Sequence, residues 1–224
     1  MTRVVAIHQP EYFPVPSVVG KLLQADVFVL LDTVDFNREN LQHRLKIKTD
    51  QGAQWLTIPV LHATPQRIHD VVTADDRWLT GHPKSLQLAY GKAPCFDAIW
   101  PALAPFWVIR YKYLADATRA AMVWLAAMFA APAQLAMVPA GVQARKGDLV
   151  LAICQRLGAT AYLSGVSGAQ YLDRAAFAAA GIEVQVQALQ LPAYPQRFGP
   201  FVSGLSVLDA LFNVGVAEVR GWLR

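Results

Sequence analysis

Charged residues and cysteines are both scarce in this chain of 224 residues. Aspartate, glutamate, lysine and arginine make up 16% of it, while apolar residues make up 54%. A sequence this apolar can form a large buried core, which excludes an intrinsically disordered protein. The two cysteines, Cys95 and Cys154, form no CxxC pair. This usage excludes a disulfide-built scaffold and is typical of a reducing compartment, so we expect a cytoplasmic protein.

Long hydrophobic runs are also absent. The longest apolar run, 120–133, contains Pro132 and is too short to span a bilayer. We interpret it as a buried core helix, and a membrane-surface or partner-binding helix is the alternative. The opening segment MTRVVAIHQP has no apolar signal core. The sequence therefore predicts no membrane span.

Familiar metal and cofactor motifs are missing as well. The sequence contains no HExxH, HxxxH or CxxC, and no Walker A or GxGxxG loop. We therefore expect neither a bound metal nor a cofactor. The formal net charge is +4, and the isoelectric point is about 9.2. This charge favours anionic small molecules but is too weak to indicate nucleic acid as a partner, except as an aminoacyl-tRNA donor.

What is present begins with a compact βαβ pattern over residues 3–31. Strands are predicted at 3–7 and 27–31, and a helix over 18–25, capped by Ser17, connects them. The second strand is apolar throughout, which favours a parallel sheet that is covered on both faces. The first half of the chain is therefore predicted to be of the α/β class.

His8 and Asp32 directly follow these two predicted strands. Both are therefore expected at the carboxyl edge of the sheet, where open parallel sheets bind ligands. His8 precedes a proline-rich loop and suits a general base or a phosphate-binding group; alternatively, it only hydrogen-bonds the loop backbone. Asp32 can orient His8, hold a cation or bind a ligand amine; alternatively, it caps a turn.

Alternating residues after position 43 predict a β-hairpin insertion. Leu45 and Ile47 form an apolar face, while Lys46 and Lys48 form a cationic face that we expect to lie in solvent. Arg44 is the candidate for gripping a carboxylate or a phosphate through two parallel hydrogen bonds. A solvated strand face is the alternative interpretation of this run of charges.

The last third repeats an α/β rhythm after 138–142, the candidate seam between two lobes. The predicted elements are a helix over 148–157, a strand over 160–163, a helix over 169–179 and a strand over 182–186. The loop 164–168, which begins with Ser164, can cradle phosphate with its backbone N–H groups; a tight connection is the alternative. We therefore predict one domain over 1–224, with a mostly parallel, Rossmann-like sheet flanked by helices and carrying the hairpin insertion.

Ser206 and Asp209 form a capping-box pattern near the end of the chain. They would open a helix through Phe212, which we expect Gly215 to end. Asn213 follows Asp209 by one helical turn, so the two share a helix face. That face either lines a pocket or only supports the cap.

Several of these segments together resemble the WbqC-like protein family. The shared segments cover nearly the whole chain: IHQPEYFP, ADVFVLLD, QWLTIPV, HPKSLQLAYGKAP, LGATAYLSGVSGAQYLD, GIEVQVQ and FVSGLSVLDALFNVG. The opening motif and the SVLDALFNVG ending are the most specific. The resemblance implies a role in bacterial surface-polysaccharide (O-antigen) biosynthesis. For some members, transfer of glycine or another aminoacyl group to an amino sugar has been suggested.

These observations lead to one hypothesis, an acyl- or aminoacyl-group transferase in surface-polysaccharide or related secondary metabolism. The donor would be an acyl group on a small molecule or a carrier, and the acceptor an amino sugar or another amine. His8 would act as general base and Asp32 would position it. The residues expected to bind substrate are Gln9, Tyr12, Arg44, His82, Ser164, Asp209 and Asn213.

Two other classes stay open at this point. A histidine in a loop between a strand and a helix is also found in nucleotidyltransferase-like domains. Those domains usually carry HxGH, which the run from His8 to Glu11 does not match. The second alternative is a non-catalytic binding or scaffold protein of a biosynthetic complex. An oxidoreductase or a metal hydrolase would need a motif that is missing.

Overall fold

The computed structural model describes residues 2–224. Its strands, in chain order, are β1 (Val4–His8), β2 (Val27–Leu30), β3 (Arg44–Thr49), β4 (Gly52–Thr57), β5 (Val60–Leu61), β6 (Val72–Thr73), β7 (Gln134–Met137), β8 (Ala161–Ser164) and β9 (Glu183–Val186). Its helices are α1 (Pro16–Gln24), α2 (Arg77–Tyr90), α3 (Phe96–Leu103), α4 (Leu114–Met128), α5 (Lys146–Arg156), α6 (Val166–Ala169), α7 (Arg174–Ala179) and α8 (Val207–Trp222). The predicted α/β class is confirmed.

Five of these strands form one parallel sheet in the order β7-β2-β1-β8-β9. From β1 the chain moves outward to β2 and then to β7. It then returns to the other side of β1 with β8 and continues to β9. The strand order therefore reverses between β1 and β8, and the carboxyl ends of these two strands flank the crevice where doubly wound sheets bind ligands.

Helices cover both faces of this sheet, and side chains alternate between the faces along each strand. On β1, Val5 and Ile7 pack with Ile153 of α5 and Phe177 of α7. Ala6 belongs to the opposite, larger core, to which α1, α2, α3, α4 and α8 contribute. The apolar composition of the central strands follows from this burial on both sides.

The long connection from β2 to β7 carries the inserted elements. Strands β3 and β4 pair antiparallel through a turn at 50–51, which confirms the predicted hairpin. Strands β5 and β6 form a second, shorter antiparallel pair. Helices α2, α3 and α4 complete the connection and pack into the larger core. The hairpin thus lies outside the parallel sheet.

Two local predictions were wrong at the ends of helices. Helix α1 begins at Pro16, and Ser17 does not cap it, because proline needs no N–H partner at the first helical position. The helix predicted over 169–179 is two short helices, and α7 starts only where the Asp173 carboxylate accepts the N–H groups of Ala175 and Ala176 (3.0 Å each). Gly215, which we expected to end the last helix, has a non-helical conformation with a φ of +84° and interrupts α8, and a second helical stretch continues to Trp222.

Two further features were not anticipated from the sequence. Strand β7 extends the parallel sheet beyond β2, although 134–137 carries no clear strand pattern. Lys48 does not lie in solvent as expected, since its residue is only 3% exposed. Within residues 2–224, no helix combines the length and the apolar character that crossing a membrane requires.

Candidate functional site

His8 is the last residue of β1 and lies beside the point where the strand order reverses. Its Nδ1 is 2.8 Å from the carbonyl oxygen of Gln9. Because a carbonyl only accepts, Nδ1 carries the proton and Nε2 of the neutral ring keeps its lone pair. Burial, together with the positive charge of Lys21, lowers the pKa of His8 to about 3. The ring is therefore neutral at pH 7, and its side chain keeps 22% exposure, so a ligand can reach it.

Glu11 is the second ionisable group of this site. Its Oε1 lies 3.9 Å from Nδ1 of His8, and its side chain is 14% exposed. Its Oε2 is shielded from solvent and accepts no hydrogen bond. Burial raises the pKa of Glu11 to about 7, and the positive charge of Lys21 opposes this shift. Glu11 therefore changes its charge near neutral pH.

Lys21, on α1, is the third ionisable group of this site. The residue is 6% exposed, and its Nζ would lie 3.8 Å from a Cβ built on Gly165, the residue after β8. Burial lowers the pKa of Lys21 to about 8, and the negative charge of Glu11 opposes this shift. Among residues 2–224 it forms no ion pair within 4.0 Å. We call His8, Glu11 and Lys21 the switch-point trio.

Sequence reasoning missed two members of the trio. Glu11 stands in the opening motif three residues after His8, and that proximity was the available signal. Lys21 interrupts the apolar positions of α1, where Val19 and Leu22 on either side are fully buried. A charged residue among buried neighbours is unusual, because transferring an unpaired ion from water into the interior is costly. That cost makes both residues candidates for a functional role.

Small residues and one free amide border the trio. Gln187 follows β9, and its Nε2 is buried without a hydrogen-bond partner. A Cβ at Gly20 would approach that nitrogen to 2.8 Å, so α1 and the Gln187 side chain pack closely here. The Ser164 hydroxyl is 1% exposed and donates to the Gly165 carbonyl at 3.0 Å. Ser164 therefore shapes the end of β8, and its proton is already engaged.

The structure places Asp32 at the same edge as His8 but gives it another neighbour. Its Oδ1 lies 3.9 Å from Nδ1 of His69, and its backbone oxygen accepts the His69 N–H at 3.1 Å. Burial raises the pKa of Asp32, and His69 opposes that shift. Within residues 2–224 no hydrogen bond or ion pair joins Asp32 to His8. The group that orients the His8 ring is the Gln9 carbonyl.

Tyr12 and His82, both expected to bind substrate, are buried in the larger core. Trp107 donates its indole N–H to the Tyr12 hydroxyl (2.9 Å), which therefore donates to Nδ1 of His82 (3.0 Å). The remaining nitrogen, Nε2 of His82, then donates to the Thr57 carbonyl at 3.2 Å. All polar atoms of this chain of bonds are satisfied by protein. The arrangement joins the opening motif to α2 and the hairpin.

Gln9 and Arg44 also have protein partners. The Gln9 Oε1 accepts from Nε2 of Gln42 at 2.7 Å. The Arg44 guanidinium donates to the backbone carbonyls of Asn40 (3.2 Å) and Glu39. Its Cζ also stacks 4.5 Å from the centre of the Trp55 ring. These contacts hold the loop before β3, so the trio, and not Arg44, supplies the cation at the switch point.

Asp209 and Asn213 do share a helix face, and that face is buried. The Asp209 carboxylate accepts from the hydroxyls of Tyr90 (2.7 Å) and Tyr194 (2.8 Å). Nδ2 of Asn213 donates to the Asp209 backbone oxygen at 2.8 Å. Ser206 caps α8, as predicted, by accepting the Leu208 N–H at 3.3 Å. Asp209 does not complete the capping box, because the Ser206 N–H donates to the Lys46 carbonyl at 2.8 Å instead.

The raised pKa of Glu11 leads to a testable effect on stability. Its neutral form is favoured in the folded state, so this contribution is fully present below pH 4.5, the ordinary value, and is lost as pH rises through about 7. We expect Glu11→Gln, which stays neutral, to raise the free energy of unfolding by about 1–3 kcal/mol at pH 8. At pH 4 the two proteins should be equally stable. Urea denaturation at both pH values measures this difference.

Glu39→Gln is the matched control, because the Glu39 residue is exposed. It should change the free energy of unfolding little at either pH. An equal effect of Glu11→Gln at pH 4 and pH 8 would show that ionisation of Glu11 is not its cause.

The fold and the trio together define a class of protein. It is a doubly wound α/β protein with buried ionisable side chains at its topological switch point, the usual place for a small-molecule site. Within residues 2–224, no group of three or more histidine, cysteine, aspartate or glutamate side chains is arranged to hold a metal ion.

The chain belongs to the WbqC-like protein family, whose family model matches residues 9–221. The resemblance of the sequence motifs is thus confirmed. The chain is also similar to the uncharacterized protein Rv1507c of Mycobacterium tuberculosis (strain ATCC 25618 / H37Rv). The two are 29% identical over an alignment of 242 positions, which covers 98% of this chain and 97% of that protein. No solved structure matches the chain.

Proposed function

We propose that this protein is an acyl- or aminoacyl-group transferase in which Nε2 of His8 is the general base. The observation that carries the proposal is the neutral His8 ring, whose Nδ1 is engaged by the Gln9 carbonyl and whose Nε2 is left to accept a proton. The ring stands at the switch point of a doubly wound sheet, where substrates of such folds bind.

The reaction that suits this site is attack of an amine or hydroxyl on an activated acyl carbon. The acceptor atom forms a bond to that carbon, and the bond from the carbon to the donor's leaving group breaks. Nε2 of His8 takes the proton from the acceptor and returns it to the leaving group. Holding both substrates beside His8 supplies a further part of the rate enhancement.

Lys21 takes the role that the sequence had given to Arg44. Its buried ammonium, unpaired within residues 2–224, can stabilise the negative charge that develops on the acyl oxygen. Lys21 is also one cause of the low pKa of His8. Negative charge beside Lys21 offsets that cause, so His8 becomes a stronger base as the reaction proceeds.

Glu11 completes the arrangement on the acceptor side. Its side chain is 14% exposed, so its carboxylate can accept a hydrogen bond from the N–H or O–H group of the incoming substrate. Amino sugars are the acceptors we propose, as precursors of bacterial surface polysaccharides or related metabolites. That choice is supported by the family resemblance alone, whereas the trio supports the type of reaction.

A direct assay tests the proposal. The purified protein is incubated with acyl thioesters, aminoacyl-tRNA or acyl phosphates, in combination with amino sugars, and the products are identified by mass spectrometry. We expect formation of an amide or ester with at least one donor. Magnesium-dependent turnover of a nucleoside triphosphate without acyl transfer would instead identify a nucleotidyltransferase. Absence of turnover together with copurification of a carrier would support the scaffold class.

The pH dependence of the reaction gives a separate prediction about Lys21. Its pKa of about 8 means that the ammonium is charged below that pH and is lost above it. We therefore expect kcat to fall as pH rises through about 8. Lys21→Arg should abolish this fall, because a guanidinium keeps its proton throughout the range. A fall near the same pH in both proteins would assign it to another group.

A further inference from the structure

A cavity of about 830 Å³ lies apart from the switch-point trio, and none of the three trio residues lines it. It is bounded by the turn of the β3–β4 hairpin, the end of α2 and the loop that follows β9. Its polar and ionisable lining includes Thr49, Asp50, Gln54, Ser85, Lys92 and Arg197. The volume exceeds what a bare ion needs and suits an organic ligand.

Arg197 is the distinctive group of this cavity. Its Nη1 is shielded from solvent and has no acceptor within the described residues. Its Cζ stacks 4.6 Å from the centre of the neighbouring Phe198 ring, and its backbone N–H donates to Oδ1 of Asn213 at 3.3 Å. A buried guanidinium N–H without an acceptor is costly. Within residues 2–224 the Arg197 guanidinium also forms no ion pair within 4.0 Å, so no carboxylate neutralises its charge.

The loop that carries Arg197 is held in place by buried polar groups. The Lys48 ammonium donates to the carbonyl oxygens of Gly199 (3.2 Å) and Pro200. Gln196 forms two bonds with the Val202 backbone, at 2.8 and 3.0 Å. Phe198 has a φ of +61°, in the left-handed region that nonglycine residues rarely adopt. Such conformations persist where the surrounding structure enforces them, and they concentrate at ligand sites.

The contacts of this loop give a structural role to the SVLDALFNVG ending, none of whose residues belongs to the switch-point trio. Asp209 binds Tyr194 at the start of the loop, and Asn213 binds the backbone of Arg197. Two side chains of one buried helix face therefore position the segment that bears the guanidinium. Because Asp209 and Asn213 are buried, they can support a binding loop, but their burial does not permit direct contact with substrate.

We propose that this cavity binds a phosphate-bearing organic ligand, with Arg197 as its principal anchor and Lys92 as a second cation. Guanidinium N–H groups bind phosphate oxygens through short, charge-assisted hydrogen bonds. The hydroxyls and amides of the lining can serve further phosphate oxygens or the organic part. Asp50 also lines the cavity. Because its carboxylate would repel a phosphate, we place the phosphate beside Arg197. This site is independent of the chemistry proposed for His8.

Titrations of the full chain with pyrophosphate, ADP and coenzyme A test this site. We expect amide ¹⁵N shifts for at least one of them in 49–54, 85–92 and 197–198. Arg197→Gln should weaken that binding about tenfold or more. Arg77→Gln is the matched control, since Arg77 lies on α2 with its guanidinium paired to Asp75 at 2.7 Å. ADP binding alone would identify a nucleotide, whereas coenzyme A binding alone would identify a phosphopantetheine carrier.

Three results would overturn the proposal. They are the absence of shifts with every probe, equal affinity of wild type and Arg197→Gln, and shifts confined to residues around His8. The shift map is measured on the wild-type protein, so it decides even if the variant folds poorly.

Discussion

His8→Ala will lower kcat/KM for group transfer by about 10²-fold, the lower end of the usual contribution of a positioned general base, because a pKa of about 3 makes the ring a weak base. The loss follows from the ring's arrangement. Its Nδ1 proton is engaged by the Gln9 carbonyl, so Nε2 is its proton-accepting atom, and alanine offers no replacement. The measurement is steady-state kinetics of wild type and variant with the donor and acceptor that the product assay identifies.

Two further variants make this result specific. His62→Ala is the matched control, because His62 packs on Phe36 (ring centres 5.3 Å apart) and is not part of the trio. It should leave kcat/KM within a few-fold of wild type. Asp32→Asn should cost far less than His8→Ala, because the carboxylate lies against His69. Equal losses for Asp32→Asn and His8→Ala would restore the catalytic pair expected from the sequence.

The second large effect concerns stability. We expect Asp209→Ala to lower the free energy of unfolding by about 3–5 kcal/mol. Removing the carboxylate leaves the hydroxyls of Tyr90 and Tyr194 without their acceptor. It also leaves an empty space in the interior, because Asp209 is fully buried. Urea denaturation followed by circular dichroism measures the change.

Tyr194→Phe separates the parts of this effect. It removes one of the two donors but keeps the carboxylate and the other tyrosine, so it should cost about 1 kcal/mol. A loss of less than about 1 kcal/mol for Asp209→Ala would mean that the carboxylate contributes little net stability, as is known for some buried charges.

The sequence contained enough information for the central part of the fold. The apolar strands and the amphipathic α1 between them predicted the parallel β1–β2 pair, which the register of Val5 to Val27 confirms. Strand β7 was missed because it lies at the edge of the sheet. Its four residues, Gln134–Met137, are exposed or only half-buried, so no alternating or continuous apolar pattern marks them.

The sequence predicted where the candidate site lies, but not which residues form it. A strand end predicts where His8 lies, since parallel strands share one carboxyl edge. Lys21 lies on the helix α1, whereas Gly165 follows the strand β8. The approach of Lys21 to Gly165 therefore depends on how α1 packs on the sheet. Such a contact between residues far apart in sequence leaves no local pattern.

Other residues that the motifs emphasised have protein partners that the sequence did not reveal. Tyr12 and His82 are 70 positions apart, and their hydrogen bond is visible only in the folded chain. Asp209 and Tyr90 are 119 positions apart, with the same consequence. Polar residues in a distinctive motif are therefore divided between chemistry and support. In the opening motif, His8 and Glu11 lie at the site, while Tyr12 is part of the core.

The proposed chemistry depends on the protonation state of the His8 ring, and long-range ¹H–¹⁵N NMR of the imidazole nitrogens tests that state most directly. The His8 signals are assigned by comparison with His8→Ala. Because burial and the Lys21 charge lower the pKa of His8 to about 3, we predict a neutral ring, protonated at Nδ1 and not at Nε2, throughout pH 5 to 8. Titration of His8 near its ordinary pKa of about 6.5, or a proton on Nε2, would contradict it.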